Sequence, residues 1–145
     1  MKIIKKILVV LLIALVLIQF YRPEKNNAEY RDVAAFETET KVEGNIKTIL
    51  ESKCYDCHSN KTTYPWYAEV APVSYWLADH VEEGNEHFNV SQWANFNDKK
   101  KDHKLDELIE EVEEGEMPLK SYTWTHGLDK ILESKDSKVN AMVAL

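Results

Sequence analysis

The chain contains few cysteines, glycines and prolines, and these scarcities exclude several classes of protein. Two cysteines among 145 residues exclude a disulfide-rich scaffold and a zinc module with four cysteine ligands. Four glycines and four prolines, with a hydrophobic share of 44%, exclude collagen-like and low-complexity chains. No segment shows the apolar and polar alternation of a strand. The length of 145 residues fits one modest domain.

Charge is divided unequally between the start of the chain and the remainder. The formal net charge is −7, from 18 Lys plus Arg against 25 Asp plus Glu. Four of the cations, Lys2, Lys5, Lys6 and Arg22, precede every acidic residue, so the remainder carries 14 cations against 25 anions, or −11. An acidic body argues against nucleic acid as a partner.

Residues 1–22 combine a basic start with a long run of Leu, Ile and Val. Three lysines precede the run, and the positive-inside bias therefore places the start in the cytoplasm and the remainder outside. No small residues follow the run at the spacing of a cleavage site. We predict an uncleaved, single-pass anchor helix in the bacterial inner membrane, with the C-terminal domain facing the periplasm or the outside. The alternative is a periplasmic protein whose signal is removed.

The remaining chain divides into a polar segment and a helical domain. Residues 23–40 show no sustained period, and we predict a polar tether. Over residues 41–145, apolar residues recur at three- and four-residue spacing, which predicts an all-α domain of four or five helices. The first predicted helix begins at about Val42 after a Thr40 cap, and the next follows Pro72 and stops at Gly84. A short helix opens at Ser91, and a longer one runs from an Asp102 cap to Gly115. The last predicted helix begins at about Ser134.

Both cysteines lie in one short motif, Cys54-Tyr55-Asp56-Cys57-His58. C-x-x-C-H is the attachment signature of c-type haem. Two thiols at this spacing at the end of a helix can reach the two vinyl groups on one haem edge, and the next residue then lies under the iron. We predict one covalent haem c, bound through Cys54 and Cys57, with His58 as the proximal axial ligand. An extracytoplasmic location agrees with this chemistry.

Two other roles are possible for the cysteines, a redox-active dithiol and a zinc site. A disulfide or thioredoxin-like dithiol would suit an oxidising compartment, but the βαβ pattern around such a site is missing. A zinc site would need two further ligands, and the histidines other than His58 lie far along the chain.

The sixth iron ligand decides between functions, because electron carriers fill that position and sensors tend to leave it open. Met117 is the favoured candidate, since Pro118 follows it and keeps it on a loop. His126 and His80 are the alternatives, together with an open position. Aromatic residues are candidates for the pocket wall: Trp66, Tyr67, Trp76, Trp93, Tyr122 and Trp124.

The chain resembles the small bacterial haem-binding domain family, which is related to monohaem c-type cytochromes. The resemblance is carried by Cys54 to His58, Tyr64-Pro65-Trp66-Tyr67, Ala71-Pro72-Val73-Ser74, Val81 to Gly84, Asn89 to Trp93, and Gly115-Glu116-Met117-Pro118 with Tyr122 and His126. It implies a compact helical domain that holds one covalent haem and is tethered outside the cytoplasm. It implies no particular reaction.

Together these features predict a membrane-anchored, extracytoplasmic monohaem cytochrome that transfers one electron and has no catalytic activity of its own. Its acidic body predicts a redox partner with a basic face. The alternative is a sensor or binding module whose open sixth position takes CO, NO or O2. A peroxidase-like enzyme would need a distal acid/base residue, for which only His80 or His126 could be considered.

Overall fold

Helices account for all the regular elements in the computed structural model, which describes residues 2–126. The α-helices are α1 Lys2–Ile18, α2 Ala34–Glu39, α3 Gly44–Ile49, α4 Tyr55–His58, α5 Val73–His87, α6 Asp98–Glu114 and α7 Lys120–His126. A π-helical turn, Leu50–Cys54, joins α3 to α4, and 3-10 turns cover Trp66–Glu69 and Val90–Asn95. The all-α prediction is confirmed. The helix expected from about Ser134 lies outside the described residues.

Aromatic side chains form the centre of the hydrophobic core. Phe36, Tyr55 and Trp93 are 0%, 0% and 1% exposed. The Phe36 and Trp93 rings meet edge to face, with centroids 5.1 Å apart and planes at 85°. The Trp93 indole donates a hydrogen bond to Glu39 Oε2 at 3.0 Å, which satisfies its one polar atom. Elements distant in sequence are thereby held around one cluster.

Part of the segment predicted as a tether packs into this core. Phe36 lies on α2, inside residues 23–40, and Asn26 donates hydrogen bonds to the Ser59 carbonyl at 2.7 Å and to Thr62 Oγ1 at 3.0 Å. A helix of six residues with a single buried side chain is too short to show a 3.6-residue period. The sequence pattern therefore could not distinguish it from a linker.

Several helix boundaries differ from the predicted ones. Thr40 does not cap the next helix; its hydroxyl donates to the Phe36 carbonyl at the end of α2. α5 begins after Pro72 as expected but continues through Gly84 to His87. α6 is capped by Asn97, whose side chain accepts from the Lys100 N–H at 2.9 Å, and not by Asp102. Its predicted end at Gly115 is confirmed, with a left-handed φ of 77°.

α1 has 17 residues, none of them buried. In the described chain, no helix combines the length and the apolarity needed to cross a membrane. The end of α1 is fastened to the domain, because the Gln19 side chain donates to the Ala71 carbonyl at 3.1 Å and accepts from the Ala71 N–H at 2.9 Å. The Tyr75 hydroxyl also donates to the Ile18 carbonyl at 3.0 Å.

The core position of Phe36 gives a stability prediction. Phe36→Ala should lower the free energy of unfolding by about 3–5 kcal/mol, because it removes a fully buried ring from a packed cluster. Tyr30→Ala, which truncates an aromatic residue that is 67% exposed, is the control and should change it little. Denaturant unfolding followed by circular dichroism measures both. Equal effects would show that residues 34–39 are not part of the core.

Candidate functional site

The C-x-x-C-H motif spans the junction between the π-helical turn and α4. The Tyr55 N–H donates to the Leu50 carbonyl across this turn, which carries one more residue than an α-helical turn. The added residue places Tyr55 in the core and leaves Cys54 and Cys57 half-buried. The Tyr122 hydroxyl on α7 donates to the Ser52 carbonyl at 2.9 Å and so holds the turn from outside. The continuous helix predicted from Val42 is therefore interrupted where the chemistry begins.

The two residues between the cysteines fix the motif to the domain. The Tyr55 hydroxyl donates to Glu37 Oε1 at 3.2 Å, and burial raises the pKa of this phenol. Asp56 Oδ1 accepts from Arg31 Nη2 at 2.6 Å and from the Thr63 N–H at 3.0 Å. Neither partner on residues 23–40 was predicted, because the contacts join residues far apart in sequence and leave no local spacing.

His58 has a defined tautomer. Its Nδ1 lies 2.8 Å from the Phe88 carbonyl oxygen, which can only accept, so Nδ1 carries the proton and Nε2 keeps its lone pair. Burial lowers the pKa of the imidazole, which keeps the ring neutral at neutral pH. A neutral ring whose other nitrogen is hydrogen-bonded to a carbonyl is the usual form of a histidine metal ligand.

Close packing of α4 on α5 depends on Gly84. A Cβ at this position would lie 2.7 Å from the Cys57 carbonyl oxygen and 3.1 Å from the Cys57 Cβ. Glycine therefore allows the two helices to approach at the second cysteine of the motif. Gly84 was predicted only as a helix end. Its role in helix packing could not be predicted, because it depends on which helix lies against it.

An apolar cleft of about 260 Å³ adjoins the motif. Its wall includes both predicted ligands, His58 and Met117, as well as Cys54. The other lining residues are Leu50, Tyr55, His87, Phe88, Val90, Lys104, Glu107, Leu108, Glu111 and Val112. The apolar residues of α6 therefore have two positions: Leu105 packs on the core, while Leu108 and Val112 line the cleft.

Met117 reaches the cleft from the loop after α6. Gly115 ends the helix, and the N–H groups of Glu116 and Met117 both donate to the Glu111 carbonyl at 3.0 Å. These bonds fix the start of the loop, while Pro118 prevents the helix from continuing. The structure therefore brings Met117 and His58 to one cleft from two elements.

The other histidines have different surroundings. His87 lines the cleft at the end of α5, and its position beside the site was not predicted. His80 lies on α5 outside the cleft lining; its ring centroid is 4.4 Å from that of Trp76, and its Nδ1 is buried without a hydrogen-bond partner. His126 ends α7, and its side chain lies outside the described residues.

The environment of the cysteines argues against dithiol chemistry. Burial raises the pKa of Cys54 to about 12 and that of Cys57 to about 11, so both sulfurs stay protonated at neutral pH. Reactive dithiols need lowered thiol pKa values. Over residues 2–126, the one cluster of three potential ligand atoms contains Asp79, His80 and Glu83 and no cysteine, which also disfavours zinc at the motif.

Comparison with protein families decides the class of this site. A family model described as a haem-binding domain matches residues 13–144, nearly the whole chain. The chain belongs to the haem-binding domain family. Comparison with curated proteins and with solved structures gave no match.

The cleft of this haem-binding domain suits a haem. Apolar side chains form most of its wall, as a macrocycle requires, and His58 Nε2 is available to the iron. Lys104 is the lysine on the wall, and its ammonium pairs with Glu107 of the same wall. The aromatic residues predicted for the pocket wall do not line the cleft. Trp93 lies in the core, and Trp66 and Trp124 are 79% and 86% exposed. The aromatic residues on the cleft wall are instead Tyr55 and Phe88.

Gly84 gives a prediction about haem loading. Gly84→Ala should displace α4 from α5, because backbone atoms of Cys57 occupy the space, at a cost of about 1–3 kcal/mol. We expect a lower haem content per chain, measured by pyridine haemochrome, and a lower melting temperature.

Gly44→Ala is the matched control. Gly44 has a positive φ, 57°, which Gly84 does not, and a Cβ there would meet no atom within 4 Å. This variant should lose about 1–2 kcal/mol through backbone strain and keep its haem. Equal haem contents in the two variants would contradict the role given to Gly84.

Proposed function

We propose that this haem-binding domain is a monohaem c-type cytochrome that transfers one electron outside the cytoplasm. The observation that carries the proposal is the presence of His58 and Met117 on the wall of one cleft, next to Cys54. His58 and Met117 would hold the iron, and a bound haem would supply one-electron redox chemistry. The protein supplies those ligands, excludes water and holds the macrocycle.

Covalent attachment is supported by where the motif lies. Cys54 faces the cleft at the end of the π-helical turn, and Cys57 lies one turn later, against α5. Since Tyr55 is fixed in the core and Asp56 is paired with Arg31, the intervening backbone has little freedom. Cys57 is not among the residues that line the cleft. The proposal of haem c therefore rests on Cys54 and His58 on the cleft wall and on the C-x-x-C-H spacing.

Met117 is a better sixth ligand than His87. His87 immediately precedes Phe88, whose carbonyl holds His58, so it belongs to the part of the wall that carries the proximal ligand. Met117 approaches from the loop after α6, an element separate from both. Met117 and His58 would thus supply a thioether and an imidazole to the same cleft from separate elements.

Charge supports a protein partner over a catalytic role. The chain after Arg22 carries a net charge of −11, from 14 cations and 25 anions. Such a field steers a partner with a basic face and speeds encounter at low salt. We assign the protein electron transfer to such a partner and no catalytic step of its own.

α1 supports attachment to the bacterial inner membrane, with the domain on the periplasmic or outer side. None of its residues is buried by the domain, and apolar side chains cover all its faces. Lys2, Lys5 and Lys6 favour a cytoplasmic start. Removal of α1 as a signal would instead give a periplasmic protein with the same cleft.

Mass spectrometry tests covalent attachment. The intact protein should exceed the mass of the polypeptide by one haem and keep that mass after acid-acetone extraction. The double substitution Cys54→Ser and Cys57→Ser should remove the added mass, because no thioether can form. Met117→Ala is the control and should keep it. Extractable haem in the unaltered protein would overturn the c-type assignment.

Near-infrared magnetic circular dichroism of the oxidised, haem-loaded protein tests the sixth ligand. The unaltered protein should show a methionine-to-iron charge-transfer band and resist CO when reduced. Met117→Ala should lose the band and bind CO, because the sixth position opens.

Two controls make this result specific. Met142→Ala alters the one other methionine besides the initiator, and His87→Ala alters the competing cleft residue; both should keep the band. A band that survives Met117→Ala would overturn the assignment. Unaltered protein that binds CO at once would instead favour the sensor function.

A further inference from the structure

The structure exposes a group of apolar side chains where α1 meets the domain. We call this group the junction surface. Its members are Phe20, Tyr21, Trp66, Val70, Val73 and Trp76, which are 83%, 72%, 79%, 45%, 37% and 45% exposed. Contiguous exposed apolar surface with aromatic residues marks an interaction site on a soluble domain.

Hydrogen bonds hold the junction surface at the level of the end of α1. Gln19 exchanges two hydrogen bonds with the backbone of Ala71, which lies between Val70 and Val73 in sequence. The Tyr75 hydroxyl donates to the carbonyls of Ile18 at 3.0 Å and Tyr21 at 2.9 Å. The Tyr21 and Tyr75 rings stack with centroids 5.9 Å apart. Residues 66–76 are therefore tied to the last turn of α1.

Charges near the junction surface are paired and leave a net charge of only +1. Arg22 and Lys25 share one carboxylate, that of Glu69, a neighbour of Val70 in sequence. This pairing leaves the apolar side chains as the main attraction for a partner. A protein partner steered by charge would find little here, whereas a bilayer interface accepts Trp and Tyr at the headgroup level without any net charge.

We propose that the junction surface rests in the headgroup layer of the membrane that holds α1. The inference rests on the proposed membrane attachment: if α1 is inserted, the bonds from Gln19 and Tyr75 bring residues 66–76 to the depth at which the apolar helix ends. The aromatic side chains then bury apolar area while their polar atoms face water and headgroups.

This placement sets the position of the haem cleft. α5 begins at Val73 in the junction surface and ends at His87 in the cleft wall, and its 15 residues separate these ends by about 21 Å along the helix. The domain therefore has a membrane end and a cleft end. A partner dissolved in the outer compartment can reach the cleft end without displacing the membrane contact.

Lipid-phase photolabelling tests the placement in the full, haem-loaded chain. The protein is reconstituted in phosphatidylethanolamine and phosphatidylglycerol vesicles containing a phospholipid with a diazirine near its headgroup. After irradiation, label is mapped by mass spectrometry. Residues 66–76 should carry several-fold more label than α6, which serves as the internal reference.

Variants make the result specific to the side chains. Trp66→Asp with Val70→Asp should bring the labelling of residues 66–76 down to that of α6 and leave α1 labelled, because charges are expelled from the interface. Tyr30→Asp alters an exposed aromatic residue outside the junction surface and should leave the labelling unchanged.

The outcomes separate this inference from the proposed attachment. If α1 is labelled and residues 66–76 match α6, the attachment stands and the junction surface inference is wrong. If neither is labelled, both are wrong. If residues 66–76 are protected from this lipid and also from a water-soluble diazirine, protein covers the surface, and the inference is again wrong.

Discussion

The hydrogen bond between His58 Nδ1 and the Phe88 carbonyl is the contact on which the site depends. It fixes the tautomer and orientation of the imidazole, and it joins α4 to the residue that follows α5. Phe88 also packs against Phe36, with ring centroids 6.0 Å apart, and against Trp93, at 6.2 Å. The His58 imidazole is therefore oriented by a residue that packs against the core.

A second constraint works with the first. Gly84 lets the backbone of α5 come within van der Waals distance of Cys57. The polar contacts of Asn26 and Arg31 then hold the loop after the motif. In this way a motif of five residues is fixed from three sides: by the core, by α5 and by the segment before α2.

The domain divides its apolar surface among three uses. Phe36, Tyr55 and Trp93 are fully buried and stabilise the fold, while Leu108 and Val112 on α6 face the cleft. The junction surface remains exposed beside α1. A small domain has little apolar surface to spare, and a bound haem adds contacts for the cleft residues, so ligand binding and stability are linked in this fold.

The helical class, haem binding and the end of α6 at Gly115 could be predicted from the sequence, because each depends on neighbours within a few residues. The sequence also predicted Met117 as a loop residue before a proline. The packing of residues 26–39 against the domain, the π-helical turn before Tyr55 and the hydrogen bond from His58 to Phe88 became visible in the folded chain alone. Those features arise from contacts between residues distant in the chain, such as Arg31 with Asp56 and Gly84 with Cys57. The local spacing of apolar residues does not predict these contacts, because they depend on which surfaces meet when the chain packs.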